Sequence, residues 1–244
     1  MAENSTSARE AAYTEGVPCW VDAQLADVEA GKRFYGELFG WSFEPSYGGT
    51  VWAYHEGEPV AALAQKADGR LPTVWTVYFA TPDAEALTRR IRAAGGQVVT
   101  APMPVGELGV AALATDPEGA VFGLWQPGTH TGFGLRHAPG AFVWAELYAR
   151  DTAAANTFYG DLFHDALFGP DAEPDFGRAP LADVFPAEMP PHFIVHFGVT
   201  DCEAALAEVN RLGGRIQAGP FDTSYGTVGM ATDDQGASFG LLQL

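Results

Sequence analysis

The sequence predicts an α+β protein built from two similar modules, and three internal repeats predict it. The stretch Pro18 to Trp41, PCWVDAQLADVEAGKRFYGELFGW, returns as Phe142 to Asp165, FVWAELYARDTAAANTFYGDLFHD. Trp20 falls on Trp144, Asp27 on Asp151 and Phe34-Tyr35-Gly36 on Phe158-Tyr159-Gly160, all displaced by 124 positions. LPTVWTVYFATPDAEALTRRIRAAGG is matched by PHFIVHFGVTDCEAALAEVNRLGG, and ATDPEGAVFGLWQP by ATDDQGASFGLLQL. Agreement over blocks of this length means duplication. Extended and helical patterns alternate inside each copy, so both kinds of element mix.

The first copy opens on a half-buried strand, with Trp20, Asp22 and Gln24 on one face and Val21, Ala23 and Leu25 on the other. Asp27 is placed to cap a helix on which Phe34, Leu38 and Phe39 recur at helical spacing. Short strands are expected at Val51–Tyr54 and Pro59–Gln65 about the turn Glu56-Gly57-Glu58, with a break over 66–72. The plan then restarts: TVWTVYFA is a strand, Asp83 to Ala94 a helix stopped by Gly95-Gly96, and Gln97–Thr100, Val110–Ala114 and Val121–Gln126 are strands. The run PGTHTGFGLRHAP lacks periodicity and is rich in turn formers, which makes it the boundary. The chain divides into a loose start over 1–13, a module over 14–127, a linker over 128–139 and a module over 140–244. The stretch 168–191 is crowded with proline and acid, and loops or ragged edge strands are expected there.

A 244-residue chain that is 47% hydrophobic can bury two cores of module size. No apolar run reaches the roughly 20 residues of a membrane span, and the polar start MAENSTSAREAAYTEG lacks the apolar stretch of a secretory signal, so a cytoplasmic protein is expected. Cys19 and Cys202 have no partners at metal-ligand spacing and are expected to be reduced structural thiols. A net charge of −18 argues against nucleic acid or an anionic membrane as partner and leaves room for a cationic ligand. The glycine pairs lack the strand, loop and lysine order of a phosphate cradle.

The FYGELFGW helix exit, the Gly-Gly after the second helix and the DPEGAVFGLWQP ending with its echo DDQGASFGLLQL resemble the vicinal oxygen chelate superfamily, which includes glyoxalase I, bleomycin-resistance proteins and extradiol dioxygenases. The tandem arrangement, with PCWVD near the start and GLWQ closing the first half, is most similar to actinobacterial tandem glyoxalase-like proteins, a group that includes hydroxylases and helpers in antibiotic pathways. The resemblance implies two βαβββ units per module, sheets curved into a cup and helices on the outer face. In single-module relatives two chains complete each cup, which implies a monomer that mimics their dimer, or a homodimer. Metal-using members place a His on the first strand seven residues before the helix-starting Asp. The same count lands on Trp20 and Trp144, the second ligand position on Thr76 and Ile194, and the third on Gly123 and Gly240. These side chains supply no imidazole or carboxylate, so no metal and no cofactor is expected.

The substitutions suggest an aromatic slot, with glycine leaving space and tryptophan adding a flat wall. Asp22, Gln24, Tyr78 and Trp125 are expected on the inner face of the first cup, and Glu146, Tyr148, His192, His196 and Leu242 on that of the second. Trp20 and Trp144 fit either a ligand wall or an ordinary core. An acid aimed at a concave apolar face costs free energy unless paired or used, so Asp22 and Glu146 are either salt-bridged, to an arginine such as Arg33, Arg136 or Arg150, or functional. His192 and His196 share a strand face with Ile194, and packing competes with function there; His55, His130, His137 and His164 are assigned no role. The leading expectation is a metal-free protein that holds a planar, hydrophobic, neutral or cationic natural product. A cofactor-independent or weakly metal-assisted isomerase, hydrolase or oxygenase of an aromatic natural product, with Asp22, Glu146, His192 or His196 as acid-base groups, is the alternative, and a structural fusion with filled cups a third.

Overall fold

The computed structural model describes residues 13–170, 172, 174–183, 185–186 and 188–244. The expected loose start therefore lies outside the described residues except for Tyr13, which is held: its hydroxyl donates to Phe133 O at 3.3 Å, and the Arg136 guanidinium lies 5.3 Å over its ring.

The first module runs β1 (Pro18–Leu25), α1 (Val28–Phe39), β2 (Ser42–Pro45), β3 (Val51–His55) and β4 (Glu58–Gln65). It then repeats the pattern as β5 (Val74–Ala80), α2 (Ala84–Ala93), β6 (Gln97–Val105), β7 (Gly109–Thr115) and β8 (Val121–Pro127). The second runs β9 (Phe142–Ala149), α3 (Thr152–Leu162), α4 (His164–Phe168), β10 (Phe176–Pro180), β11 (His192–Val199), α5 (Cys202–Arg211), β12 (Arg215–Thr223), β13 (Gly226–Thr232) and β14 (Ser238–Gln243). Each module forms one mixed sheet: eight strands ordered β2-β3-β4-β1-β5-β8-β7-β6, and six ordered β10-β9-β11-β14-β13-β12. The stretch 168–191, where loops or ragged edge strands were expected, supplies among its described residues only the edge strand β10 to the sheet. No helix among the described residues is long and apolar enough to cross a membrane.

Local chemistry sets the helix starts. Asp27, Asp83, Asp151 and Asp201 are all N-caps, and each carboxylate accepts a backbone N–H of the first turn at 2.9 to 3.0 Å, a contact contributing about 1 kcal/mol. Each first strand then alternates. Val21, Ala23 and Leu25 are buried toward the helices, while Trp20, Asp22 and Gln24 face the other way.

The helix-covered faces of the two sheets pack against each other around one aromatic core. Phe79 and Trp75 of β5 meet Phe193 and Phe197 of β11 with ring centroids 5.8 and 5.0 Å apart. Gly96 lies under the Phe158 ring and Gly214 under Phe34; a Cβ on either glycine would stand 3.2 or 3.1 Å from that ring and only 2.5 or 2.4 Å from a backbone oxygen. Each module's Gly-Gly thus seats the other module's helix aromatic. Every strand of either sheet comes from one module.

The linker is ordered. Its residues form bridges Arg136 to Phe142 and Pro139 to Gly198, and Gly140 O accepts the Trp41 indole N–H at 2.7 Å. Arg136 and His137 both engage the buried carboxylate of Asp175, the histidine at 2.9 Å.

Candidate functional site

Strand register brings the first set of predicted residues together. Trp20 pairs with Tyr78 and Asp22 with Thr76 across β1 and β5, Tyr78 pairs with Gly123 and Ala80 with Trp125 across β5 and β8, and Asp22 pairs with Ala62, which in turn pairs with Trp52. Trp20, Asp22, Gln24, Thr76, Tyr78, Gly123 and Trp125 therefore share one concave face. Asp22 Oδ2 accepts from the Tyr78 hydroxyl at 2.9 Å and from Gln24 Nε2 at 3.4 Å, while Asp22 Oδ1 is buried with no partner. Burial pushes the Asp22 carboxyl up to about 6, against the opposing hydrogen bonds from Tyr78 and Gln24 and the polar influence of the nearby Thr76 hydroxyl.

Three contributors to this cup were not anticipated. Trp52 of β3 lies 5.7 Å from Trp20, and the linker delivers His130 and Phe133. The His130 ring stands edge-on to Trp20 at 4.3 Å, 4.5 Å from Trp52 and 5.5 Å from Trp125, and its backbone oxygen accepts the Trp125 indole N–H at 2.9 Å. Periodicity is blind to a loop, so nothing in PGTHTGFGLRHAP marked His130.

The second cup repeats the rows with different side chains. Trp144 pairs with His196 and His196 with Gly240, Glu146 pairs with Ile194, Tyr148 with His192, and Leu242 with Gly198 and Val228. Trp144 Nε1 donates to Glu146 Oε2 at 2.7 Å. Burial raises the Glu146 carboxyl, with that bond and the charge of Arg178 opposing. His196 is lowered to about 4 by burial and His192 is also lowered, the latter with Nδ1 donating to Pro190 O at 2.8 Å. Tyr148, Leu181, Ile194 and Met230 form a small core of their own on this face, with Phe185 and Met189 packed on it. Tyr225, 82% exposed in the turn between β12 and β13, stacks over Trp144 at 6.3 Å.

Two expectations need correction. Gly123 and Gly240 do not open a slot. A Cβ at Gly123 would stand 2.2 Å from the Tyr78 ring, and one at Gly240 2.0 Å from the His196 ring. The neighbouring strand's aromatic ring fills the room glycine leaves. Nor are Asp22 and Glu146 held by the arginines considered for them: Arg136 goes to Asp175, the Arg150 guanidinium reaches Met189 O, and Arg33 bears on Asp234. Tyrosine and glutamine hold Asp22, while an indole N–H holds Glu146 and the charge of Arg178 bears on it.

A glyoxalase-like domain profile matches residues 20–125. The anthracycline biosynthesis protein DnrV of Streptomyces peucetius is 34% identical over 260 residues, covering 95% of this chain and 94% of its own. CFP32 of Mycobacterium tuberculosis, which carries a glyoxylase name, is 34% identical over 250 residues, covering 95% and 96%. The chain belongs to the glyoxalase-like family. A Mn(II)-bound glyoxalase from Novosphingobium aromaticivorans shares the superfamily fold, with a TM-score of 0.64, 16% identity and coverage of 95% of this chain and 83% of its own.

The residues at the superfamily's transferred ligand positions do not fit a metal. Indole, hydroxyl, aliphatic and bare-backbone groups occupy them, the glycine positions are covered by rings, and the described residues contain no group of three His, Cys, Asp or Glu that could hold an ion. The superfamily frame here presents aromatic walls and one raised carboxyl per cup.

Proposed function

We propose that the protein binds a planar, polycyclic natural product in its first cup without using a metal, as a binding, resistance or biosynthetic-helper protein. One observation carries this reading: Asp22 keeps a buried, unpartnered carboxylate oxygen beside Trp20 and Trp52. An isolated acceptor in such a place is costly unless a ligand donates to it, and indole walls favour a flat ring system. At neutral pH a carboxyl titrating near 6 is mostly ionised and suits a hydroxyl, N–H or ammonium. The kinship with a protein named for anthracycline biosynthesis supports a fused-ring hydroxyquinone as the ligand type.

The test is titration with doxorubicin, following tryptophan fluorescence and chromatographic product together. Saturable quenching without product, weakened by Asp22→Asn, is the expected result. A flat titration with no thermal stabilisation of the protein sinks the proposal.

A second reading is favoured by the Tyr78–Asp22 bond, which joins a phenol to a carboxyl poised near neutrality, a pair suited to moving a proton. Under it the same mixture yields product, and Asp22→Asn stops the turnover.

A further inference from the structure

We infer that His130, a linker residue, is a ligand-reading group of the first cup, and that with Asp22 it selects aromatic compounds carrying a hydroxyl on their edge. This rests on the first cup being a receptacle, as proposed above.

His130 is only 7% exposed, and its Nε2 is buried with no hydrogen-bond partner. Its backbone is committed on both sides, the N–H donating to Leu108 O at 3.1 Å and the carbonyl accepting from Trp125. Three residues on, Phe133 N donates to Cys19 O at 2.9 Å, and Phe133 stacks on Phe142 at 4.9 Å. The loop is therefore pinned before and after the imidazole, and three indoles fix the ring's attitude.

A residue that merely filled the gap between Trp20 and Trp52 needs no nitrogen. Phenylalanine would stack there with no polar atom to desolvate. Burial holds the imidazole neutral, lowered to about 4, so at neutral pH it has one bare nitrogen and one N–H, able to accept from or donate to a hydroxyl. The second unpartnered atom of this cup, Asp22 Oδ1, lies on the same face, with Trp20 two residues away along β1 and Trp52 two strands away at the same level. A hydroxyl is both donor and acceptor, so a single such group on a ring edge can serve either atom. An unsubstituted ring leaves both unsatisfied.

The experiment compares 2-hydroxyanthraquinone with 9,10-anthraquinone in fluorescence titrations of the full chain and of His130→Phe. The intact protein should prefer the hydroxylated compound by about tenfold, the worth of one well-made hydrogen bond in a buried site. His130→Phe should weaken that preference, with Asp22 left as the one unpartnered atom to take the hydroxyl. In the intact protein labelled with ¹⁵N-histidine, one neutral imidazole should shift with 2-hydroxyanthraquinone and not with the parent, which keeps the test alive if the variant does not fold. An undiminished preference in His130→Phe, or histidine nitrogens that ignore the hydroxyl, overturns the role of His130 and leaves the receptacle standing. Failure of both quinones to bind the intact protein removes the receptacle and this inference together.

Discussion

Tyr35, on α1 of the first module, donates its hydroxyl to Asp233 of the second at 2.8 Å, and both groups are buried. The repeat mates do the same in reverse, Tyr159 Oη donating to Asp116 Oδ2 at 3.3 Å. Each aspartate spends its other oxygen on its own turn, Asp233 on Gln235 N and Ala237 N, Asp116 on Glu118 N and Ala120 N. The residue two positions on then reaches the opposite module's helix start: Gln235 pairs with the backbone of Asp27, and Glu118 accepts from Arg150 N and Asp151 N. The phenylalanine-tyrosine-glycine and aspartate-x-x-glycine motifs that occur in both modules are thus the two halves of one dovetail.

Tyr35→Phe should destabilise more than Tyr159→Phe. The Tyr35 hydroxyl also accepts the Trp75 indole N–H at 2.9 Å, so its loss strands a buried donor as well as a carboxylate oxygen. About 2–4 kcal/mol is expected for Tyr35→Phe against about 1–2 kcal/mol for Tyr159→Phe. Urea unfolding of both variants checks the order, and equal or inverted losses refute it.

Asp22→Asn should weaken ligand binding yet stabilise the free protein at high pH. The carboxyl titrates near 6 in the fold against an ordinary 3.8, so the folded state holds the extra proton between these values and the acid's penalty grows as pH rises through that window. Asparagine keeps an acceptor for Tyr78 without the charge. Thermal melts should show a gain on the order of 1–2 kcal/mol at pH 8 that fades by pH 4. A pH-independent difference would assign the effect to packing.

His130 and His196 pull the other way. Both are lowered to about 4 by burial, so the unfolded chain takes up their protons first as the solution is acidified. Stability present at pH 7 is lost as pH falls from about 6.5 toward 4, roughly one proton of slope per histidine. His130→Phe should flatten the stability profile over this interval, and an unchanged slope between pH 6.5 and 4 would show that the imidazole titrates normally in the fold.

Much of the scaffold was legible because its signals are local. Four aspartates stand where an N-cap accepts a first-turn N–H, and the period-two alternation of Trp20 to Leu25 separates cup from core. Other features depend on which strand lies beside which. Tyr78 over Gly123 and His196 over Gly240 are consequences of register across strands far apart in sequence, so a count along the chain suggested empty space where a ring lies. Nothing along the chain marks the Tyr35 phenol as a donor, because its partner is 198 residues away. His130 entered the cup from a segment with no periodicity at all.

Gly123→Ala should therefore damage the first cup although it adds one methyl. The new Cβ would stand 2.2 Å from the Tyr78 ring, far inside contact distance, and Tyr78 is tied to Asp22 at its other end. Either the ring moves and breaks that bond, or the β5–β8 pairing opens; overpacking of this kind costs about 1–3 kcal/mol. Tyr78→Ala alone should also destabilise, by leaving a void and stripping Asp22 of its strongest donor. The two changes share one space, so Gly123→Ala combined with Tyr78→Ala should cost less than the sum of the singles. Strict additivity in chemical unfolding would mean that the ring does not occupy the space above the glycine, and the description of the cup as filled from the neighbouring strand would fail with it.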